Sequence, residues 1–166
     1  MHSLAFQYLE NDHNQLEAHL NKAIEDFDNI DMEAYDKFRR GLLRHISIEE
    51  KIAIPTILQL TGAAVEDAER IRSDHGGIGA LLVMSPTKSI IATLRSILDI
   101  HNAMEEKEDG FYSRLDEIKG VEADELLARM HASPPVPASK YNDKPGVLDA
   151  IKRAVVRSGY EYIEVE

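Results

Sequence analysis

The chain has 166 residues, enough for one domain with a substantial core and too few for two large ones. Its 19 basic and 30 acidic residues leave a formal net charge of -11, which gives no electrostatic reason to approach nucleic acid or an anionic membrane. Without cysteine, disulfides, thiolate zinc sites, cysteine-ligated iron–sulfur clusters and thiol nucleophiles are excluded, so any metal must be held by nitrogen and oxygen. The opening residues carry Glu10, Asp12 and Glu17. No later apolar run approaches the roughly 20 residues that span a bilayer. These features read as a soluble, cytoplasmic protein with neither a nucleic-acid nor a membrane partner.

Apolar residues recur at spacings of three and four along most of the chain, which predicts an all-α fold. The first helix is expected over about residues 3 to 28, with Leu9, Leu16, Leu20, Ile24 and Phe27 on one stripe. Asp31 is a plausible N-cap for a second helix reaching about Leu60, carrying Tyr35, Phe38, Leu42, Ile46, Ile52 and Ile57 inward and kinked at Pro55. Thr61 and Gly62 break the pattern, and a third helix follows from about Ala64 to Met84 with Ile71, Ile78 and Leu82 inward. Ser85 and Pro86 stop it. The fourth starts near Thr87 and carries Ile90, Leu94, Ile97, Met104, Tyr112 and Leu115 towards Gly120. Four long helices with short loops predict an antiparallel up-down four-helix bundle over residues 1–120.

Residues 121–166 form a C-terminal extension. A short helix at about Glu122 to His131 leads into the proline-rich spacer Ser133-Pro-Pro-Val-Pro-Ala-Ser, then an amphipathic segment with Val147, Leu148, Ile151, Val155 and Val156. That segment is too short to stand alone as a helix in water. It is expected to dock on its own bundle or on a second copy, the latter making a homo-oligomer. The tail from Tyr160 to Glu166 reads as a strand or as disordered.

Of the 7 histidines, His13, His45, His75 and His101 interrupt the apolar stripes, one on each predicted helix. A single inward histidine is ordinarily a hydrogen-bonded core residue, but four without shared partners are expensive to bury, and a metal supplies the missing partner. Their axial heights agree. His13 lies 15 residues before Asp28 and His45 lies 14 after Asp31, roughly 22 and 21 Å at 1.5 Å per residue. His75 falls short of its neighbours by about one turn at both ends, as expected if the third helix is simply shorter. All four can share one layer.

Two of them come with carboxylates in matching context, His45-Ile-Ser-Ile-Glu49-Glu50 and His101-Asn-Ala-Met-Glu105-Glu106. A step of four on a helix keeps Glu49 and Glu105 on their histidine's face, while a step of five is about 140° away and assigns Glu50 and Glu106 to the outside. Four histidines and two carboxylates suit two metal ions, with the carboxylates able to bridge. Asp12 and Asp74 stand next to ligand histidines and are placed on the solvated surface, with orientation of the imidazoles as the lesser role. His19, His2 and His131 are read as solvated. Glu108 and Tyr112 share the face of His101 and are assigned to core packing, with a channel to the metals as the alternative.

The pattern Asp12-His13, His45-x-x-x-Glu49, Asp74-His75 and His101-x-x-x-Glu105 resembles the hemerythrin family, in particular the bacterial hemerythrin-like HHE cation-binding domains, over about residues 5 to 118. The resemblance implies a non-haem di-iron centre, oxo- or hydroxo-bridged. In it His13 and His45 serve one iron, His75 and His101 the other, and Glu49 and Glu105 bridge. Oxygen-carrying hemerythrins have another histidine four residues after the one on the third helix, where this chain has Gly79. The expected consequence is an open position for water or a small ligand beside Gly79. Gly76, Gly77 and Gly79 are equally readable as close helix packing. The function implied is binding of oxygen, nitric oxide or peroxide for sensing, storage or detoxification. The alternatives are a peroxidase-like di-iron enzyme or an iron-donating repair protein for iron–sulfur clusters, and a degenerate site holding zinc or nothing.

Overall fold

Helix-forming periodicity in the sequence becomes seven α-helices and no strands in the computed structural model, which describes residues 1–166. The helices are α1 (Leu4–Ala23), α2 (Met32–Ile48), α3 (Ile54–Thr61), α4 (Ala68–Leu81), α5 (Lys88–Glu106), α6 (Gly120–Ala132) and α7 (Val147–Arg157). No helix is long and apolar enough to cross a membrane. Side-chain caps start three of them: Ser3 accepts from the Phe6 amide, Asp31 from those of Glu33 and Ala34, and Thr87 from that of Ile90. Gly62 ends α3 in the left-handed region, at φ 73°.

Three boundaries differ from expectation. α1 stops at Ala23, so Phe27 is no core residue and lies 37% exposed in the following turn. Between α2 and α3 the chain stays helical but widens into a π turn, Glu49–Ala53, where the Ile54 amide bonds the Glu49 carbonyl. Pro55 has no amide hydrogen and its ring would clash with the carbonyl one turn back, and the wider turn just before it relieves that conflict. The fourth helix, expected to run towards Gly120, ends at Glu106; after a tight turn the chain carries on in the same general direction as a 3₁₀ segment, Tyr112–Glu117, whose Asp116 meets the Ser3 amide at the start of α1. Gly110 permits the tight turn, because a Cβ there would lie 2.6 Å from the carbonyl oxygens of both Met104 and Glu105.

The core is divided. One cluster of 16 buried residues includes Leu9, Ile48, Ile71 and, from the 3₁₀ segment and α6, Tyr112, Leu115, Leu126 and Met130. A second cluster of 16 includes Leu16, Leu42, Ile78 and Ile97 with Ile151 and Val155 of α7. Along each long helix the residue between the two clusters is a histidine: His13 between Leu9 and Leu16, His45 between Leu42 and Ile48, His75 between Ile71 and Ile78. His101 likewise follows Ile97 and precedes Met104, which packs on the first cluster.

The C-terminal extension folds back on its own chain. α7 lies on α4, where a Cβ on Gly77 would come within 2.8 Å of Ser158 Oγ, and that hydroxyl donates to the Ser73 carbonyl at 2.9 Å. Gly77 therefore serves close helix packing. Tyr141 lies under the Arg39 guanidinium at 4.3 Å and donates to Asp36, and Arg39 donates to the Leu82 and Ser139 carbonyls. The tail is neither a strand nor disordered. It runs extended beside α5, with the Ile163 amide on Thr93 Oγ1 and the Val165 amide on Ser89 Oγ. Ile151 is 3% exposed, so Ile151→Ala is expected to lower unfolding free energy by about 2–5 kcal/mol, as truncation of a buried isoleucine does. Urea denaturation checks it.

Candidate metal centre

Each of the four long helices delivers one histidine to the layer between the two apolar clusters, and all four are buried. Glu49, first residue of the π turn, and Glu105, near the end of α5, join them with no exposed surface at all. These six make two overlapping sets, His13, His45, Glu49 and Glu105, and Glu49, His75, His101 and Glu105. Within each set the ligand atoms lie within 4.8 Å of one another. The structure thus brings together all six residues that the sequence reading names as candidate metal ligands. Gly79 stands apart. It lines a surface recess with Arg39, Leu43 and the spacer residues Val136 and Pro137, and none of the six ligands lines that recess.

The outer nitrogens of the four imidazoles are each held by a carboxylate from the neighbouring helix. His45 Nδ1 meets Asp12 at 3.0 Å, His75 Nδ1 meets Glu50 at 2.7 Å, His101 Nδ1 meets Asp74 at 3.1 Å and His13 Nδ1 meets Glu106 at 2.5 Å. An ionised carboxylate only accepts, so Nδ1 carries the proton and Nε2 is turned inward as the available ligand atom. Assigning Glu50 and Glu106 to the outside is therefore corrected. A direction 140° from a helix's inward face leads to the flank of the adjacent helix, and a glutamate is long enough to reach the histidine there. Asp12 and Asp74 likewise orient imidazoles rather than sit in water, and Asp74, fully buried, is also held by Arg70 at 2.9 Å. The repeated Glu-Glu doublet and the repeated Asp-His pair were the available signals.

His19 lies outside the site, His2 stacks on Phe6 at 3.8 Å, His131 meets the edge of Tyr8, and Glu108 is exposed in the turn after α5. Tyr112 departs from the packing role expected of it. The turn at Gly110 sets its ring so that the hydroxyl lies 2.6 Å from Glu49 Oε1, 2.9 Å from His13 Nε2, 3.2 Å from His45 Nε2 and 3.3 Å from Glu105 Oε2. A cavity of about 300 Å³ between α1, α2 and α5, walled by Leu16, Leu42 and Leu98, ends on the His13–Glu106 pair.

The second set has no such filler. Glu49 Oε2 and Glu105 Oε1 are buried without a hydrogen-bond partner, 3.2 Å from His75 Nε2 and 3.1 Å from His101 Nε2. The two Nε2 atoms face each other at 3.2 Å. Bare lone pairs at that distance repel, so a proton or a cation belongs between them. Each glutamate turns one oxygen to each pair of histidines. These buried groups can hold a metal ion, and the orphaned oxygens and facing nitrogens fit one. No family model, curated protein or solved structure matches the chain.

Protons balance the charge when no cation does. Burial disfavours the His45 imidazolium, but the Glu49 charge and the bond to Asp12 outweigh it and raise its pKa from 6.5 to about 10. Burial is likewise outweighed at His101, by the Glu105 charge and the bond to Asp74, again to about 10. Burial alone would raise Glu49, yet the adjacent His45 and His75 hold it well below the usual carboxylate range. At Tyr112, burial and then the charges of Glu105 and Glu49 push the hydroxyl well above its ordinary value. An imidazole raised in the fold contributes stability that is complete below its unfolded value and is lost as pH rises through about 10. A metal ion must displace those same protons. Loading with Zn²⁺ at pH 7.5 is therefore expected to release at least two protons per chain, and affinity should rise with pH. Titration in weak buffer with a pH indicator checks this, and zero release would contradict it.

The orienting carboxylates give a separate expectation. Asp74→Asn and Glu50→Gln should each weaken Zn²⁺ binding by about 10–100-fold, the usual cost of losing such a partner. Glu17→Gln, on the exposed part of α1, should leave it unchanged in the same competition titration with a chelator.

Proposed function

We propose that this chain is a hemerythrin-like di-iron protein that binds a small ligand, oxygen, nitric oxide or peroxide, for sensing, storage or detoxification. On this reading α1, α2 with α3, α4 and α5 are the four members of an antiparallel up-down bundle formed by residues 1–120, and residues 121–166 brace it. The observation that carries the proposal is the split of both glutamates: each offers one oxygen to the His13–His45 pair and the other to the His75–His101 pair. A single structural ion would need one tetrahedral set and no sharing. Two sets joined by two carboxylates are the donor arrangement of a paired-metal site.

His13 and His45 would hold one iron, His75 and His101 the other, and Glu49 and Glu105 would bridge. Imidazole and carboxylate without thiolate suit iron that cycles between two oxidation states. Bound there, the pair supplies redox capacity and an open coordination position for a small ligand. The protein's own contribution is orientation and exclusion of water. Asp12, Glu50, Asp74 and Glu106 fix the rings with Nε2 inward, the two apolar clusters seal the layer above and below, and the cavity beside His13 admits only something small. The His75–His101 set has no donor beyond its two histidines and the two shared glutamates, so a metal held there would keep a coordination position for the ligand.

Reconstitution with ferrous iron under anaerobic conditions, followed by elemental analysis, is expected to give close to two irons per chain. His45→Ala and Glu49→Ala should abolish that stoichiometry. Stopped-flow spectra of the reduced protein with oxygen, nitric oxide and peroxide then identify the ligand, and multiple turnovers of peroxide would favour the enzyme over the binding protein. Iron content near zero in the wild type would overturn the proposal.

A further inference from the structure

The hydroxyl of Tyr112 contacts the ligand atoms of one set and none of the other. Oη has His13 Nε2, His45 Nε2, Glu49 Oε1 and Glu105 Oε2 within 3.3 Å, which is every ligand atom of the first set. A phenol has one proton to give and usually satisfies one or two partners when buried. The proton goes to Glu49 Oε1 at 2.6 Å, and nothing remains for Glu105, which can only accept. As a phenol, then, this oxygen is surrounded by more groups than it can satisfy.

Withdrawal is not open to it. The ring has no exposed surface, is crossed edge-on by Phe6 at 5.7 Å and Phe111 at 5.2 Å, and hangs from a turn that Gly110 presses against two α5 carbonyls. A cation entering the first set must therefore settle beside Oη rather than replace it. Two imidazole nitrogens, two carboxylate oxygens and one phenolic oxygen together make a five-donor shell of hard and borderline character, which suits ferric iron.

We propose that Tyr112 is a protein ligand of the metal held by His13, His45, Glu49 and Glu105, bound through Oη as the phenolate. The inference rests on the two-metal reading above and adds that the two positions are chemically unequal. The oxygen–hydrogen bond of Tyr112 breaks, an oxygen–metal bond forms, and the proton leaves to solvent with those displaced from the imidazoles. The first position is closed by five protein donors. The second, with His75, His101 and the shared glutamates, is the one left to take an exogenous ligand. The asymmetry comes from the tight turn at Gly110 and the 3₁₀ segment that carries Tyr112, because the α1–α2 and α4–α5 halves otherwise contribute the same residues.

The test uses the full chain loaded with ferrous iron and oxidised in air, with iron content measured on every sample. Wild type is expected to show a visible phenolate-to-ferric charge-transfer band with tyrosinate ring modes in resonance Raman. Tyr112→Phe should keep its two irons and lose both signatures, whereas replacing each of the other tyrosines by phenylalanine should preserve them. In Zn²⁺ titrations Tyr112→Phe should release one proton fewer than wild type. Two irons without tyrosinate modes in the wild type, or a band that survives Tyr112→Phe, would overturn the proposal and leave the two-metal reading intact. Failure of the wild type to take up iron would overturn both. Should Tyr112→Phe fail to fold, the wild-type Raman spectrum and the other tyrosine variants still decide.

Discussion

Two glutamates with no contact to solvent stand at the centre of this protein, and the rest of the structure follows from having to balance them. An ionised carboxylate taken out of water is costly unless it is paired and hydrogen-bonded. Four imidazoles surround Glu49 and Glu105, and at neutral pH His45 and His101 carry protons that an isolated histidine would have lost. Protons balance the site, and a metal ion could do so in their place. The layer sits between two separate apolar clusters, so water cannot supply the balance in place of either.

Balance also demands orientation, and the outer carboxylates provide it in a closed circuit. Asp12 on α1 holds the histidine of α2, Glu50 after α2 holds that of α4, Asp74 on α4 holds that of α5, and Glu106 at the end of α5 holds that of α1. Each long helix gives a carboxylate to the next and receives one from the last, so the rings lock the helices together as much as the helices place the rings. The sequence carries this twice, as Asp-His followed by His-x-x-x-Glu-Glu in residues 12–50 and again in 74–106. The two halves of the centre are accordingly related, and the features that distinguish them lie outside the motif: the π turn ahead of Pro55 in one, the tight turn at Gly110 in the other.

Helix existence and the six inward ligands were legible because both are periodic. A residue every third or fourth position, interrupted by histidine at one height on four segments, needs no tertiary knowledge to read. What periodicity cannot report is where a helix stops being α-helical. Nothing in the stripe through Met104, Tyr112 and Leu115 reveals that the α-helix breaks after Glu106 in a tight turn and resumes as a 3₁₀ segment, so Tyr112 read as one more core residue along a straight axis. The π turn and the roles of Glu50 and Glu106 were hidden for a related reason. A helical wheel divides positions into inside and outside, whereas a helix with neighbours has flanks, and it is on the flanks that these glutamates reach the adjacent histidines.

The extension completes one side of the same circuit. Of the four outer carboxylates only Asp74 is fully buried; side chains of Asp12, Glu50 and Glu106 keep 24%, 34% and 32% of their surface. Asp74 is held by Arg70, and Arg70 in turn donates to the Tyr160 hydroxyl at 3.0 Å beneath the ring of that residue, just beyond α7. A chain of contacts therefore runs from the C-terminal tail to the ring of His101. A charge pair screened from water interacts more strongly than an exposed one, which favours the Asp74–His101 contact although at 3.1 Å it is the longest of the four. The opposite flank, where Glu106 and His13 border the cavity, has no such cover. The segment that follows α7 thus does more than add apolar contact: through Tyr160 and Arg70 it braces the buried Asp74 behind His101, whereas the His13–Glu106 pair on the other side borders an open cavity.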